Sequence, residues 1–369
     1  MMKVLFIHNA LPEYRIKFFQ KLSELVDLEI LVTDKELASK IYGLSFQKDN
    51  GLNVSFMEQL GDISDKIKSK QYDLVVLPPV DTPFQWVCAW KAYVTCKMVN
   101  VKFVYWTEKW EPSFKLQPLL KRTKNYIQAL MIGFFARKAN VCIGAGKQSV
   151  NYLSSIGVAK KLIVTAIDSS TSPKANDSFD IRKKYGLNAN ARVILFLGRI
   201  VERKGCDDLI NAFRQIKRKY KDSVLLVCGE GPHLTRCKEL AASVDASNII
   251  FAGKVEPVKR AEYFKQSDVF VLPSYTLNGV IEAWGLTVNE SLEQGTPVVA
   301  TTAVGAAYDL ADNKCCFMTD ENSPESLAEN IMKVFDKGDL THLCQQQYQM
   351  YSVEKMAAGF FNAFKEAIK

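Results

Sequence analysis

The 369-residue sequence contains no run of about 18 consecutive apolar residues, so a membrane-spanning helix is not expected. Its opening, Met-Met-Lys-Val-Leu-Phe-Ile-His8, turns polar too soon for a secretory signal, and the expectation is a cytoplasmic protein. The three histidines are too scattered to suggest a zinc cluster. The nine cysteines include no Cys-x-x-Cys pair, and Cys142, Cys228 and Cys316 lie in strand-like apolar runs. These thiols read as reduced core residues, and no metal site is expected. No Asp-x-Asp occurs, which leaves no acidic pair of the kind that bridges a metal to a diphosphate. Gly144-Ala-Gly146-Lys147 falls short of a P-loop, because Val141 stands where its first glycine belongs and Gln148 follows the lysine. Gly229-Glu-Gly231-Pro-His233-Leu234 lacks the third glycine of a dinucleotide fingerprint. Neither an aromatic-rich RNA-binding signature nor a recognition-helix pattern is present, so no nucleic-acid partner is expected.

What is present is a chain with 48% hydrophobic residues, enough for two cores. Its net charge of +8 lies wholly in the first half: residues 1–170 hold 23 Lys+Arg against 15 Asp+Glu, residues 171–369 hold 25 of each. Between Lys102 and Lys161 eleven cations face only Glu108 and Glu111, a patch that attracts phosphates. Within it, residues 115–138, from Lys115 through Lys121, Arg122 and Lys124 to Arg137 and Lys138, mix cations with Leu, Ile, Met and Phe at helical spacing. Two readings fit this segment. It can lie on an anionic membrane surface, or it can be an amphipathic helix packed on its own sheet with solvated lysines outside.

Short apolar runs alternate with helical patterns along the chain. Strands are expected at Lys3–His8, Leu28–Val32, Val54–Met57, Leu74–Leu77, Lys102–Trp106 and Val141–Ile143. A polar run, Ser169 to Ser178, has the composition of a linker. Beyond it a second series is expected at Arg192–Leu197, Ser223–Cys228, Asn248–Ala252, Val269–Leu272, Pro297–Ala300 and Cys315–Met318. The fold class that follows is α/β, with two Rossmann-like, doubly wound domains joined near residue 175.

Ligands of such sheets gather in the loops after the strands. In Glu282-Ala-Trp-Gly285-Leu286-Thr287-Val-Asn-Glu290, a loop gives way to a helix with a carboxylate on either side of a glycine. Gly285 is expected to let the backbone approach a ligand, and the amides of Gly285, Leu286 and Thr287 to receive an anion. Hydroxyls at both ends and a phosphate between them describe a nucleotide sugar. The plainer account of both glutamates is as helix-start carboxylates favoured by the macrodipole. Gly198-Arg199-Ile-Val-Glu-Arg-Lys204-Gly205 brackets cations with glycine after the first strand of the second series. Arg199 and Lys204 could grip a diphosphate there or form a solvated basic loop.

Gly198-Arg199 with Lys204-Gly205, Gly229-Glu-Gly231-Pro232, Leu272-Pro-Ser274, and Glu282 to Glu290 followed by Gly295-Thr-Pro297-Val-Val together resemble the second domain of the retaining family four glycosyltransferases of GT-B architecture. The resemblance spans about 100 residues in the right order. It implies two domains facing across a cleft: residues 1–172 for the acceptor, 173–350 for the donor, and 351–369 as a helix returning to the first domain. It also implies that Glu290 accepts from the ribose hydroxyls, that Glu282 lies beside the donor sugar, and that Arg199 and Lys204 neutralise the departing diphosphate. Front-face attack with retention follows, with no cofactor and no metal. The donor implied is a nucleotide-diphosphate sugar, UDP- first and GDP- second. The acceptor is a glycan, lipid-linked at the inner membrane face, as in polysaccharide or lipopolysaccharide synthesis.

The first domain departs from that pattern. The loop after its first strand, His8-Asn9-Ala10, has no glycine, and Tyr105-Trp106-Thr107-Glu108 stands where relatives have a histidine. His8, Asn9, Tyr14, Arg15, Trp106 and Glu108 are therefore acceptor-side candidates, each also readable as structural. The usual Gly-Gly after the Pro-Val-Val strand is Gly305-Ala306. A soluble GT-B sugar synthase, a sugar-nucleotide epimerase and a non-catalytic nucleotide-sugar-binding module remain alternatives.

Overall fold

The structure, a computed structural model, describes residues 1–37, 51–69, 71–111, 117–244 and 248–369. It divides into two compact units. The first is built from Met1–Trp110, Pro118–Ser170 and Val353–Lys369, the second on Thr171–Ser352.

In the first unit seven strands, β1 Lys3–His8, β2 Asp27–Val32, β3 Asn53–Phe56, β4 Leu74–Val76, β5 Lys102–Thr107, β6 Val141–Gly144 and β7 Ile163–Thr165, form one sheet in the order β3-β2-β1-β4-β5-β6-β7. Every pairing is parallel. A parallel sheet is covered on both faces, which is why Val4–Ile7 and Phe103–Thr107 are buried without alternation. The strand β7 escaped sequence inspection because it is three residues long and partly exposed. Chain order reverses between β1 and β4, so the β1 loop lies at the point where such sheets take ligands.

The last helix, Val353–Ile368, belongs to this unit and packs against the helix Glu13–Ser23. Its Phe360 ring lies 4.8 Å from Phe18 and 5.2 Å from Trp106. Met356, Phe360 and Phe364 thereby complete a core shared with Val4, Phe6 and Ile30.

The second unit repeats the plan. Its strands β8 Arg192–Leu197, β9 Ser223–Cys228, β10 Ile249–Gly253, β11 Val269–Leu272, β12 Val298–Thr301 and β13 Cys316–Thr319 order as β10-β9-β8-β11-β12-β13, all parallel. The switch point falls between β8 and β11. Register then decides which loops meet: Leu197 pairs with Cys228 and Leu272 with Ala300, so the loops after β8 and β9, and those after β11 and β12, start side by side.

The polar run at 169–178 begins as something other than an exposed linker. Ser169 and Ser170 are fully buried, and Glu293 accepts from the Ser172 amide at 2.7 Å and from the Thr171 hydroxyl. Composition registers polarity but cannot tell hydroxyls facing water from hydroxyls with protein partners.

Candidate active site

In the second unit the loops after β8, β9, β11 and β12 are cross-tied by backbone hydrogen bonds. The Ile200 amide donates to Glu230 O at 2.8 Å, the His233 amide to Ile200 O at 3.1 Å, and the Tyr275 amide to Arg203 O at 2.9 Å. The Glu282 amide donates to Ala303 O at 3.0 Å, and its carbonyl accepts from Gly305 at 3.1 Å. Gly205 is required by this closeness: a Cβ there would meet Pro273 O at 1.9 Å, and its φ is +68°.

Gly285 is needed for a reason other than the expected one. At φ +98° its missing Cβ would meet Leu272 and Val304 side chains at 2.9 Å, so internal packing already demands glycine, whatever ligand approaches. Leu286 and Thr287 are partly exposed. They begin a helix, Thr287–Glu293, of seven residues. Gly198 donates its amide to Cys228 O at 3.0 Å, and Gly231 accepts from the Leu234 amide at 3.1 Å.

The centre of this loop set is an ionic cluster. Lys204 Nζ lies 2.6 Å and Arg203 Nη1 2.9 Å from Glu282 Oε2. Burial by itself would raise the Glu282 pKa, but Lys204 and then Arg203 outweigh it and hold the carboxyl below its usual range. Burial lowers the Lys204 pKa, a shift that Glu282 opposes and that Arg203 and Arg199 reinforce. Arg199 is exposed at the rim. Two cations therefore hold one fixed carboxylate, with Arg199 close enough to act on Lys204, and the loop set is electropositive before any ligand enters.

Arg203 was missed in the sequence, where it sits beside Lys204 with nothing to distinguish it. Glu290 is buried in the helix Thr287–Glu293, with Arg260 Nη1 3.8 Å from its Oε2. Arg260 was missed too, since thirty residues separate the two and only the fold joins them.

In the first unit the acceptor-side candidates largely gather around Arg15. This guanidinium is 2% exposed and donates to Asp168 through both terminal nitrogens, 2.9 Å from Nη2, and to Glu108 through Nη2. It lies over the rings of Tyr14, at 5.2 Å, and Trp106, at 5.1 Å. Two carboxylates raise its pKa well above the ordinary value against the opposing effect of burial. Arg15 is thus an internal anchor that presents no open face to an acceptor.

The His8 ring lies 5.6 Å from that of Trp106, tilted by 37°, and its Nδ1 lies 2.6 Å from Ala10 O. The Ala10 amide also meets this nitrogen, at 3.3 Å, and the shorter contact to the carbonyl, which only accepts, favours the tautomer with the proton on Nδ1. Burial first and Arg15 second push the His8 pKa down to about 4, so the ring is neutral at pH 7. Burial, then Asp168, push the Glu108 carboxyl up to about 7 despite Arg15. Asn9 is placed by its carbonyl, which accepts from the Asp34 amide at 3.0 Å. Asp168, fully buried, was missed because it follows the unrecognised β7 and stands just before the run that looked like a linker.

Two parallel doubly wound units with these loop sets define the GT-B class of glycosyltransferase fold. Anabaena HepE in complex with UDP has it: the two structures align with a TM-score of 0.76 over 99% of this chain and 100% of that one, at 15% identity. Residues 177–349 match the family model "Glycosyl transferases group 1". Two curated relatives are similar over part of the chain. The GDP-mannose-dependent alpha-(1-6)-phosphatidylinositol monomannoside mannosyltransferase of Mycobacterium tuberculosis is 29% identical over 42% of this chain and 41% of its own length. The alpha-monoglucosyldiacylglycerol synthase of Streptococcus pneumoniae is 31% identical over 39% and 33%. These matches thus span less than half of each relative.

Proposed function

We propose that the protein is a retaining glycosyltransferase that moves a sugar from a nucleotide-diphosphate sugar to a lipid-linked glycan acceptor. The observation that carries this reading is the Arg203–Lys204–Glu282 cluster, with Arg199 at its rim, in the loop set at the switch point of a group 1 unit. In the proposed step the bond from the anomeric carbon to the diphosphate oxygen breaks while the bond to the acceptor oxygen forms on the same face. The acceptor proton passes to the departing phosphate oxygen, and the nucleoside diphosphate leaves. Arg199, Arg203 and Lys204 stabilise the charge that grows on that leaving group, so no metal is needed at the diphosphate and the cations act most strongly in the transition state. Glu282 orients two of them and meets the sugar side of the donor.

Glu290 takes the ribose hydroxyls in this scheme. Glu290→Ala removes both acceptor oxygens and is expected to weaken nucleoside diphosphate binding by roughly 10- to 100-fold, measurable by calorimetry. Unchanged affinity would remove Glu290 from the donor site. UDP is the first expectation for the base, from Anabaena HepE, and GDP the second, from the mannosyltransferase.

A lipid acceptor is supported by the names of both curated relatives and by the first unit's surface. On the helix Leu119–Ala136, Leu119, Leu120, Tyr126, Ile127 and Leu130 are exposed, Leu120 at 86%, with Lys121, Arg122 and Lys124 among them. Phe84, Val87 and Trp90 of the helix Pro83–Met98 are exposed as well, with the Trp90 ring 5.4 Å from Phe134. Apolar side chains flanked by cations suit the headgroup boundary of the inner membrane face. Lys115, at the start of this segment, lies outside the described residues, and among these no helix is long and apolar enough to cross a membrane. Lys121, Arg122 and Lys124 changed together to Glu should release the protein from anionic vesicles in sedimentation; retained binding would count against the surface.

Product analysis with labelled UDP- and GDP-sugars tests the whole reading. Label in the lipid extract supports it. Label in a free sugar, isomerised donor, or binding without turnover would replace it with a soluble synthase, an epimerase or a silent module respectively.

A further inference from the structure

Four donor atoms that the proposed transfer does not use meet beneath the β8 and β9 loops. Cys206 and Asp207 open the helix Cys206–Lys219 directly after Gly205. His233 and Cys237, one turn apart, lie at the start of the helix Leu234–Val244. His233 Nε2 is 3.0 Å from Asp207 Oδ2, and Cys237 Sγ is 3.2 Å from Asp207 Oδ1. One ligand atom from each of these three residues lies within 4.8 Å of the other two. Cys206, next to Asp207 at the start of the same helix, is near enough for its thiol to raise the pKa of Cys237. Both cysteines are buried, while Asp207 and His233 keep 31% and 22% of their side chains exposed, which leaves an entry path from solvent.

We propose that Asp207, His233 and Cys237, with Cys206 as fourth donor, form a site for a divalent cation of the zinc class. Thiolate, imidazole and carboxylate are the ligands such ions take, in a tetrahedron whose donors stand roughly 3.5 Å apart. Side-chain movements of about 1 Å close the present spacings to that figure. The site escaped sequence inspection because its halves are separated by β9, so the chain shows only the single pair His233 and Cys237 at short spacing. Its position gives it a structural role: it joins the starts of the two helices whose preceding loops are already tied through Ile200 to Glu230 and His233. This inference is independent of the transfer reading.

Cobalt(II), which reports tetrahedral thiolate ligation by its absorption, tests it on the full chain with no sugar donor present. The expected result is one equivalent bound with thiolate charge-transfer and tetrahedral ligand-field bands, both lost in Cys206→Ser/Cys237→Ser. His233→Ala, on a partly exposed residue and so safe for folding, should weaken cobalt at least about tenfold. No stoichiometric cobalt in the wild type would overturn the proposal. So would a spectrum unchanged in His233→Ala and in the double cysteine variant, which would move binding to other thiols of this unit, Cys228, Cys315, Cys316 or Cys344.

Discussion

Glu282→Ala is expected to lower transfer by about two to three orders of magnitude while nucleoside diphosphate affinity stays within a few-fold of wild type. The asymmetry follows from what the carboxylate touches. Its Oε2 holds Lys204 at 2.6 Å and Arg203 at 2.9 Å. Removing it leaves both cations in place of sequence but free to reorient, and each can still attract the resting diphosphate. In the proposed transfer, what is lost is the fixed direction of their charge toward the oxygen that would gain charge as the sugar departs, together with the carboxylate assigned to the sugar side. Such a loss lowers kcat and kcat/KM together, the signature of an interaction made in the transition state. Lys204→Ala should fall in the same range, and the double variant should be little worse than either single one, because residues acting as a unit are not additive. Steady-state kinetics with calorimetry separates these outcomes. Wild-type turnover in Glu282→Ala would sink the site, and a large loss of nucleotide affinity without loss of kcat would make Glu282 a binding residue only.

How much of this was legible beforehand depended on how local the cause is. The strand β8, Arg192 to Leu197, was read to the residue because buried parallel strands are continuous apolar runs, and Val193 to Leu197 is one. The loops carrying Glu282 and Lys204 were legible because glycine and charge cluster there within a few residues. The partners that give those residues their properties were not, since Arg203 and Lys204 look alike in the chain and Arg260 reaches Glu290 only through the fold. Gly285 shows the opposite failing: the right residue was chosen for an incomplete reason, because sequence carries no trace of Leu272 and Val304 closing over its missing Cβ. In the first unit the candidates from His8 to Glu108 were chosen as positions after strands. Their common centre on Arg15 and Asp168, residues 153 apart, required the sheet order to be known.

That centre carries the largest expected effect on stability. Arg15→Ala leaves Asp168 fully buried with its charge uncompensated, apart from the Ser169 amide at 2.9 Å. Breaking a buried ion pair from one side costs about 3–5 kcal/mol, which should lower the unfolding midpoint of the first unit by roughly 10 °C. Arg15→Ala/Asp168→Ala should recover part of that loss, since the stranded charge goes with its partner; a double variant as unstable as the sum of both singles would assign the cost to packing under Trp106 and Tyr14 instead. The pH dependence carries a separate sign. Glu108 is raised from 4.5 to about 7 in the folded unit, so its contribution is present in full below about pH 4.5 and is lost as pH rises through about 7. Glu108→Gln holds the uncharged form throughout. Its midpoint relative to wild type should therefore be more favourable at about pH 8 than at about pH 5, and the reverse order would show that the ionised carboxylate, held by Arg15, is the form the fold prefers.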